Sequence, residues 1–263
     1  MSNFWGKPKQ NDNLVSSDMI DLHCHILPDT DDGPQTWEES LEMARIAVGD
    51  GIRTLVATPH LFRHRTDNLG EVNERETILQ KVEYLRHLLH QENIALEILA
   101  GCDFPLSWEA LKLFSQDRVM TINDGKRYLL LELPHTSWPL ATAEICHAIL
   151  LRGITPIITH PERHFVIQEK PEKLGRLLDL GCLAQLTAGS LTGMFGRRVA
   201  KISRHLVQNG YIHLVASDAH STQGRVPLLS PAATLLSRLL GPEEATAMTA
   251  TIPQKIIRGE AVV

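Results

Sequence analysis

The sequence predicts an α/β fold, built as a single distorted barrel of seven parallel strands and their helices, a (β/α)7 arrangement in one domain. Three observations predict it. Short apolar, β-rich runs alternate with stretches of helical periodicity along the chain. No internal repeat, low-complexity tract or linker interrupts that alternation. The 263 residues fit one α/β barrel of roughly 200–250 residues better than two small domains. An open doubly wound sheet is the second choice. There is no GxGxxG after a strand and no Walker-type glycine-rich loop, so the phosphate cradles of nucleotide folds are absent.

Seven runs read as buried strands: Met19–Leu22, Thr54–Thr58, Leu96–Ala100, Tyr128–Leu131, Thr155–Thr159, Leu183–Leu186 and His213–Ala216. Between the first two, Thr36-x-x-Glu39 forms a capping box, with Trp37, Leu41, Ala44 and Val48 on one helical face. Residues 71–92 carry a stripe at Ile78, Val82, Leu85 and Leu89. Pro139 and Pro171 suit the first position of helices running to about Arg152 and Leu180. Gly153, Gly181 and Gly210 stand where glycines follow helix ends.

Composition narrows the function classes. With 43% apolar and 22% charged residues, the chain has an ordinary soluble make-up. A formal charge of −5 argues against a nucleic-acid partner, which selects a basic face. Cys24, Cys102, Cys146 and Cys182 are too scattered for a zinc ribbon or disulfide framework, so reduced thiols and a cytoplasmic location are expected. Residues 1–17 are polar and lack an apolar core, which predicts a flexible extension and not a signal peptide. No stretch is long and apolar enough to insert in a membrane.

Thirteen histidines stand against three tyrosines, which directs attention to metal ligation. In an extended strand His23 and His25 share a face and Cys24 takes the other. In a parallel barrel the functional residues gather at the carboxyl ends of the strands. Those ends deliver His23, His25, His60, Asp103, Glu132, His160, Asp218 and His220, with Asp32 just downstream of the first and Asp31 as its alternative. Each alone has a plain reading as a cap or loop residue. Together, so many carboxylates and imidazoles in one mouth are too costly to bury without cations. Mixed His and carboxylate donors suit Mn, Fe or Zn, and nine ligands call for a cluster with bridging carboxylates.

Arg163 and Arg225 follow the same edge, and guanidinium forks match phosphate oxygens. The competing reading pairs each with a neighbouring acid such as Glu162. Metals with arginines point to phosphate-ester hydrolysis, in which the cations acidify a water and clamp the phosphoryl oxygens. The basic run Arg63-His64-Arg65 stands close by and would attract an anion. Cys146 and Arg152 have the bare C-x5-R spacing of a cysteine phosphatase. The intervening residues are bulky and helical, and they turn the two side chains apart, so no cysteine nucleophile is expected.

At these residues the chain resembles the PHP superfamily, and within it the metal-dependent tyrosine-protein phosphatases of the CpsB/CapC/YwqE type. The matching blocks are Met19-Ile-Asp-Leu-His-Cys-His-Ile26 with Asp31-Asp-Gly-Pro34, Thr58-Pro-His60 and Leu131-Glu132. They continue in Ile158-Thr-His-Pro-Glu-Arg163, Ala216-Ser-Asp-Ala-His220 with Gly224-Arg225, and Pro253 to Gly259. The resemblance covers residues 19–263. It implies a PHP-type barrel holding three metals, most often Mn²⁺. By that analogy His23, His25 and Asp218 hold one ion, and Glu132 and His160 a second, with Asp103 bridging them. Asp32, His60 and His220 hold the third. Arg163, Arg225, Asp218 and His220 form the implied catalytic set. The implied substrate is phosphotyrosine on a membrane-associated tyrosine autokinase controlling capsule or exopolysaccharide synthesis, and a homo-oligomer is compatible with it. Two departures mark this chain. Asp103 stands where the family has Glu, and its shorter side chain reaches less far. Residues 1–18 precede the usual start, which makes Met19 an alternative one. The competing functions are a small-molecule phosphomonoesterase of histidinol-phosphatase type and a non-catalytic metal-stabilised regulatory protein.

Overall fold

The computed structural model describes residues 18–61, 73–114, 116–134 and 136–262. The expected extension, residues 1–17, and the run Arg63-His64-Arg65 lie outside the described residues. Strands β1 (Met19–Cys24), β2 (Ile52–Ala57) and β3 (Glu97–Ala100) form one parallel sheet in that order. Strands β4 (Asp103–Pro105), β5 (Tyr128–Glu132), β6 (Thr155–Thr159), β7 (Leu183–Thr187) and β8 (Leu214–Ala216) form a second, also parallel and in chain order.

The described residues thus hold eight strands, not seven. The extra one arises where the third expected strand breaks at Gly101-Cys102. A Cβ on Gly101 would stand 2.8 Å from Val56 Cγ1, so only glycine lets the chain pass this close to β2. The β2–β3 ladder ends at Ala57–Ala100, and beyond it His60 bridges Asp103, carrying the pairing into the second sheet. The other seam is joined the same way. Cys24 bridges Ala219, His25 N–H donates to Ala219 O at 2.8 Å, and Asp218 N–H donates to His23 O at 2.8 Å. Both seams therefore meet at the carboxyl ends of the strands, where the candidate ligands stand.

Alternation sorts the core into two faces. Ile20, Leu22, Val56, Leu99, Leu130, Ile157, Leu183 and Leu214 fill one cluster, plugged by Ile256. Met19, Leu55, Ile98, Leu129, Ile158, Ala184 and Val215 face the helices in the larger one. In β1 the parity breaks, since Leu22 lies in the first cluster and Cys24 in the second. A register irregularity between Asp21 and Cys24 accounts for it and re-aims His23.

Helix α1 (Trp37–Asp50) starts at Thr36, whose side chain accepts from Glu39 N–H. The reciprocal arm of the box differs from expectation: Glu39 Oε2 accepts from Gln35 N–H, one residue earlier. The fully buried face of α1 is Ser40, Met43, Ala44 and Ala47, while Trp37, Leu41 and Val48 are only partly buried beside it. Helix α2 (Arg75–Gln91) buries Ile78, Val82, Leu85 and Leu89, the expected stripe. Next come α3 (Trp108–Phe114) and α4 (Thr142–Leu150), the latter beginning three residues after Pro139. They are followed by α5 (Phe165–Glu169) and α6 (Glu172–Asp179), for which Pro171 is the N-cap. The remaining helices are α7 (Ala188–Thr192), α8 (Gly196–Gln208), α9 (Ser230–Leu240), α10 (Pro242–Thr246) and α11 (Ile252–Ile257). Gly153, Gly181 and Gly210 all have positive φ after helix ends. Among the described residues no helix is long and apolar enough to cross a membrane.

Candidate metal and phosphate site

The carboxyl edge of both sheets brings the expected residues into one mouth. His23 Nε2 and His25 Nε2 approach to 3.2 Å. Each ring is held from behind. His23 Nδ1 meets Gln185 Oε1 at 2.9 Å, and His25 Nδ1 meets Asp31 Oδ2 at 2.6 Å. His220 Nδ1 is engaged by Asp218 O at 3.0 Å. All three imidazoles therefore have Nδ1 committed to an acceptor and turn Nε2 to the mouth, the orientation a ligating histidine needs.

Asp31 and Asp32 divide the two roles that the sequence left open. Asp31 is buried and accepts from His60 N–H and Gly33 N–H, both at 2.9 Å, while orienting His25. Asp32, with a side chain 52% exposed, lies 3.3 Å from His220 Nε2 and 3.5 Å from His60 Nε2. Gly33 is required between these groups, since a Cβ there would stand 2.5 Å from His25 O. Asn73 Nδ2 ties the loop to the His60 turn through Thr30 O and His60 O. Lys81 Nζ donates to Pro28 O, Asp29 O and Thr30 Oγ1.

On the second-sheet side of that seam, Asp103 Oδ2 is 3.2 Å from His60 Nδ1 and 3.8 Å from His23 Nε2, so the shorter side chain still reaches both. Glu132 lies 3.5 Å from His60 Nδ1 and 3.8 Å from His160 Nε2. Three compact donor groups result: His25, Asp32, His60 and His220; His23, His25 and Asp103; His60, Asp103 and Glu132. Asp218 Oδ1 stands 3.5 Å from His23 Nε2 and 3.6 Å from His25 Nε2, close to the second group. Both carboxylate oxygens of Asp103 are buried, Oδ1 without a partner and Oδ2 with only the His60 and His23 contacts. A buried carboxylate with an unpartnered oxygen amid His and carboxylate donors, with no thiolate among them, fits a cluster of divalent cations.

Charge coupling is strong in this mouth. Burial works against protonation of His60, yet the Asp103 carboxylate, with Glu132 and Asp31, lifts its pKa to about 9. Burial and the neighbouring imidazoles His220, His60 and His23 push His25 well below its usual range. Burial raises Asp218, but His23, Arg163, His160 and Arg225 outweigh it and hold the carboxyl well below the ordinary carboxylate range.

The arginines meet at Asp218. Arg163 Nη2 and Arg225 Nη2 both donate to its Oδ2, at 2.5 and 2.6 Å. Neither is paired with Glu162. That buried carboxylate instead accepts from Ser190 Oγ at 2.6 Å and Thr187 N–H at 3.2 Å, and burial raises its pKa to about 7. Glu162 thus staples the His160–Arg163 turn to the end of β7. Arg163 Nε and Arg225 Nε are buried without partners. Two ligand candidates have left-handed backbones that disfavour non-glycine residues, His160 with φ 36° and Asp218 with φ 52°. His160 follows directly on β6 and Asp218 stands two residues after the end of β8, and strain of this sort concentrates at functional sites.

Residues not expected from sequence to hold the frame do so here: Gln185, Glu162, Thr187 and Asp21, which accepts from Ser217 N–H at 2.9 Å and Ser217 Oγ at 2.5 Å. Their one signal was polarity inside runs that read as buried strand or turn. The cysteines are all free and buried, and burial pushes the Cys24 and Cys102 thiols up. Cys146 lies inside α4, and Arg152 donates to Ala148 O on the surface, so the C-x5-R spacing makes no cradle.

Residues 19–258 match the family model for capsular polysaccharide synthesis, CpsB/CapC. The tyrosine-protein phosphatase YwqE of Bacillus subtilis is 39% identical over 207 residues, 79% of each chain. The tyrosine-protein phosphatase CpsB of Streptococcus pneumoniae is 30% identical over 250 residues, 93% of this chain and 100% of that one. A solved structure from the work on YwqE and CpsB, described as unique metal-dependent tyrosine phosphatases, superposes with TM-score 0.87 at 35% identity. It covers 93% of this chain and 96% of that one. The phosphotriesterase homology protein of Escherichia coli shares the fold alone, with TM-score 0.58 at 10% identity. The chain belongs to the CpsB/CapC family of capsular polysaccharide synthesis.

Proposed function

We propose that this protein is a metal-dependent protein-tyrosine phosphatase on a distorted PHP-type (β/α)7 barrel. One observation carries the reading. The buried Asp103 carboxylate stands among the histidines with Oδ1 unpartnered, and Arg163 and Arg225, each with an unpartnered Nε, meet at Asp218 beside them, which supports cations on one side and an anion on the other. The proposed ligands are His23, His25 and Asp218 for one ion, Glu132 and His160 with bridging Asp103 for a second, and Asp32, His60 and His220 for a third. Manganese is the proposed metal, and iron or zinc would suit the same donors. Bound cations supply a water of lowered pKa and neutralise charge on the phosphoryl oxygens.

The chain's own residues do the rest. Arg163 and Arg225 orient the phosphoryl group through their free N–H donors, with Asp218 fixing both guanidinium planes. His220 is held by Asp218 O beside the exposed Asp32, at the edge that substrate reaches first. A cleft of about 480 Å3 opens there, lined by Asp32, Pro34, Gln35, His220, Gln223 and Arg225, and its mixed polar and apolar walls suit a peptide flanking the phosphorylated residue. Tyrosine leaves as a phenolate of pKa near 10, so its protonation is a weak requirement. The proposed partner is a membrane-associated tyrosine kinase of capsule or exopolysaccharide synthesis, met in the cytoplasm.

The test is turnover of a phosphotyrosine peptide against histidinol phosphate, with Mn²⁺ added. The peptide is expected to win, His160→Ala to lose activity and Cys146→Ser to keep it. Preference for histidinol phosphate, no turnover of either, or dependence on Cys146 overturns the reading.

A further inference from the structure

We infer that a small apolar pocket beside Arg225 and Arg163 receives the aromatic ring of an aryl phosphate, and so selects aryl over alkyl phosphate esters. The inference rests on the phosphatase reading and adds a recognition site to it. The pocket lies between the turn that joins α7 to α8 and the chain leading into α9. Phe195, Met194, Val226, Leu228 and Ala232 line it, with Arg225 at its edge.

Its position follows from the arginines. The Arg163 guanidinium carbon stands 5.0 Å from the centroid of the Phe195 ring, so one pocket wall carries that arginine on its face. Arg225 lines the pocket while its Nη2 reaches Asp218 Oδ2 at 2.6 Å. In a phosphate monoester a single oxygen separates phosphorus from the organic group. A phosphoryl group held by both arginines therefore delivers that group next to this wall.

Size and chemistry select the occupant. The pocket gives about 60 Å3 to the centres of water molecules. That is room for more than one water, so a six-membered ring can enter. A serine or threonine ester would leave most of it unfilled. Met194 forms the outer flap and is 49% exposed. Its sulfur packs so closely on Gly189 that a Cβ there would stand 2.9 Å from it, which fixes the flap against α7. Thioether and phenyl walls are favourable neighbours for an aromatic ring. The larger cleft beside Asp32 has no phenyl or thioether group among its lining residues.

The experiment compares phenylphosphonate with methylphosphonate, two inert anions that remove any leaving-group effect. Binding to the manganese-loaded protein is titrated by calorimetry, and phosphotyrosine-peptide turnover is assayed separately. Phenylphosphonate is expected to bind about tenfold more tightly or better, from the apolar area it buries. Thr192→Trp fills the pocket from its exposed rim and should bring the ratio to about one, while Met194→Ala should lower it about threefold. Methylphosphonate affinity should stay within about twofold in both variants, which also reports that they fold. Equal affinities in the parent protein, or a ratio that neither variant moves, overturn the pocket assignment. If the peptide is turned over while the ratio is one, the phosphatase reading stands and this inference falls. If the peptide is not turned over, the phosphatase reading falls, and the phosphonate ratio still decides the pocket.

Discussion

The two walls of the mouth solve opposite electrostatic problems. The wall from β1, β2 and β4 crowds His23, His25, His60 and Asp103 together and leaves Asp103 Oδ1 without a hydrogen-bond partner. The wall after β6 and β8 holds Arg163 and Arg225 on one carboxylate and leaves an Nε of each without one. A buried unsatisfied polar group costs about 1–3 kcal/mol. Folding alone would select against both sets. On the function proposed above, the acceptors beside the histidines would serve cations and the donors beside Asp218 an anion, while Gln185 Nε2 and Glu162 Oε2, also unpartnered, stand in the frame behind them. Asp218 belongs to both walls, with Oδ1 facing His23 and His25 and Oδ2 facing the arginines.

The sharpest way to break this division is to remove its centre on the cation side. Asp103→Asn keeps the shape and deletes the charge shared between His60 and His23. Bound manganese, measured by elemental analysis after dialysis, should fall by at least about one ion, and turnover by on the order of 10³. A full metal complement in this variant would mean that the Asp103 carboxylate is not there for cations. The anion side should respond differently. Arg163→Ala and Arg225→Ala each leave Asp218 one guanidinium, so the fold survives either change. Each should lower kcat/KM by about 10² with metal content unaltered. Metal loss in either variant would merge the two walls into one system.

Much of this division was legible in the sequence because its residues sit at strand ends, which can be read in order without knowing the pairing. β6 has the expected bounds, Thr155–Thr159, and the ends of the other strands fall within a few residues of expectation. The frame behind the ligands was not legible. Gln185 orients His23 across 162 residues of chain, and Ser217 meets Asp21 across 196. Pairings that distant depend on which strands become neighbours, and no local pattern carries that. The split of the third expected strand was hidden for a related reason. Gly101 reads as an ordinary turn residue until Val56 is known to lie against it. Asp31 and Asp32 were adjacent and chemically alike. Only the turn at Gly33 sends one behind His25 and the other to the rim.

The smallest expected effect tests whether the anion wall has a frame of its own. Arg163 is followed by His164, the N-cap of α5, whose Nδ1 accepts from Val166 and Ile167 N–H while Nε2 meets Ser137 O at 3.1 Å. An accepting Nδ1 requires the neutral ring, and burial lowers the His164 pKa from its usual value. The sign follows. Below the unfolded pKa of about 6.5 the unfolded chain binds a proton that the folded chain resists, so this stability is present at neutral pH and is lost as pH falls. His164→Asn keeps a capping oxygen and removes the titration. Between pH 7.5 and 5.5 the parent protein, stripped of metal and unfolded in urea, should lose about 0.5–1 kcal/mol more than the variant, the usual worth of a cap. Comparing the two proteins cancels the titration of the shared cation ligands. Parallel losses would mean that the turn carrying Arg163 is held by the metal wall after all, and that the two walls do not stand independently.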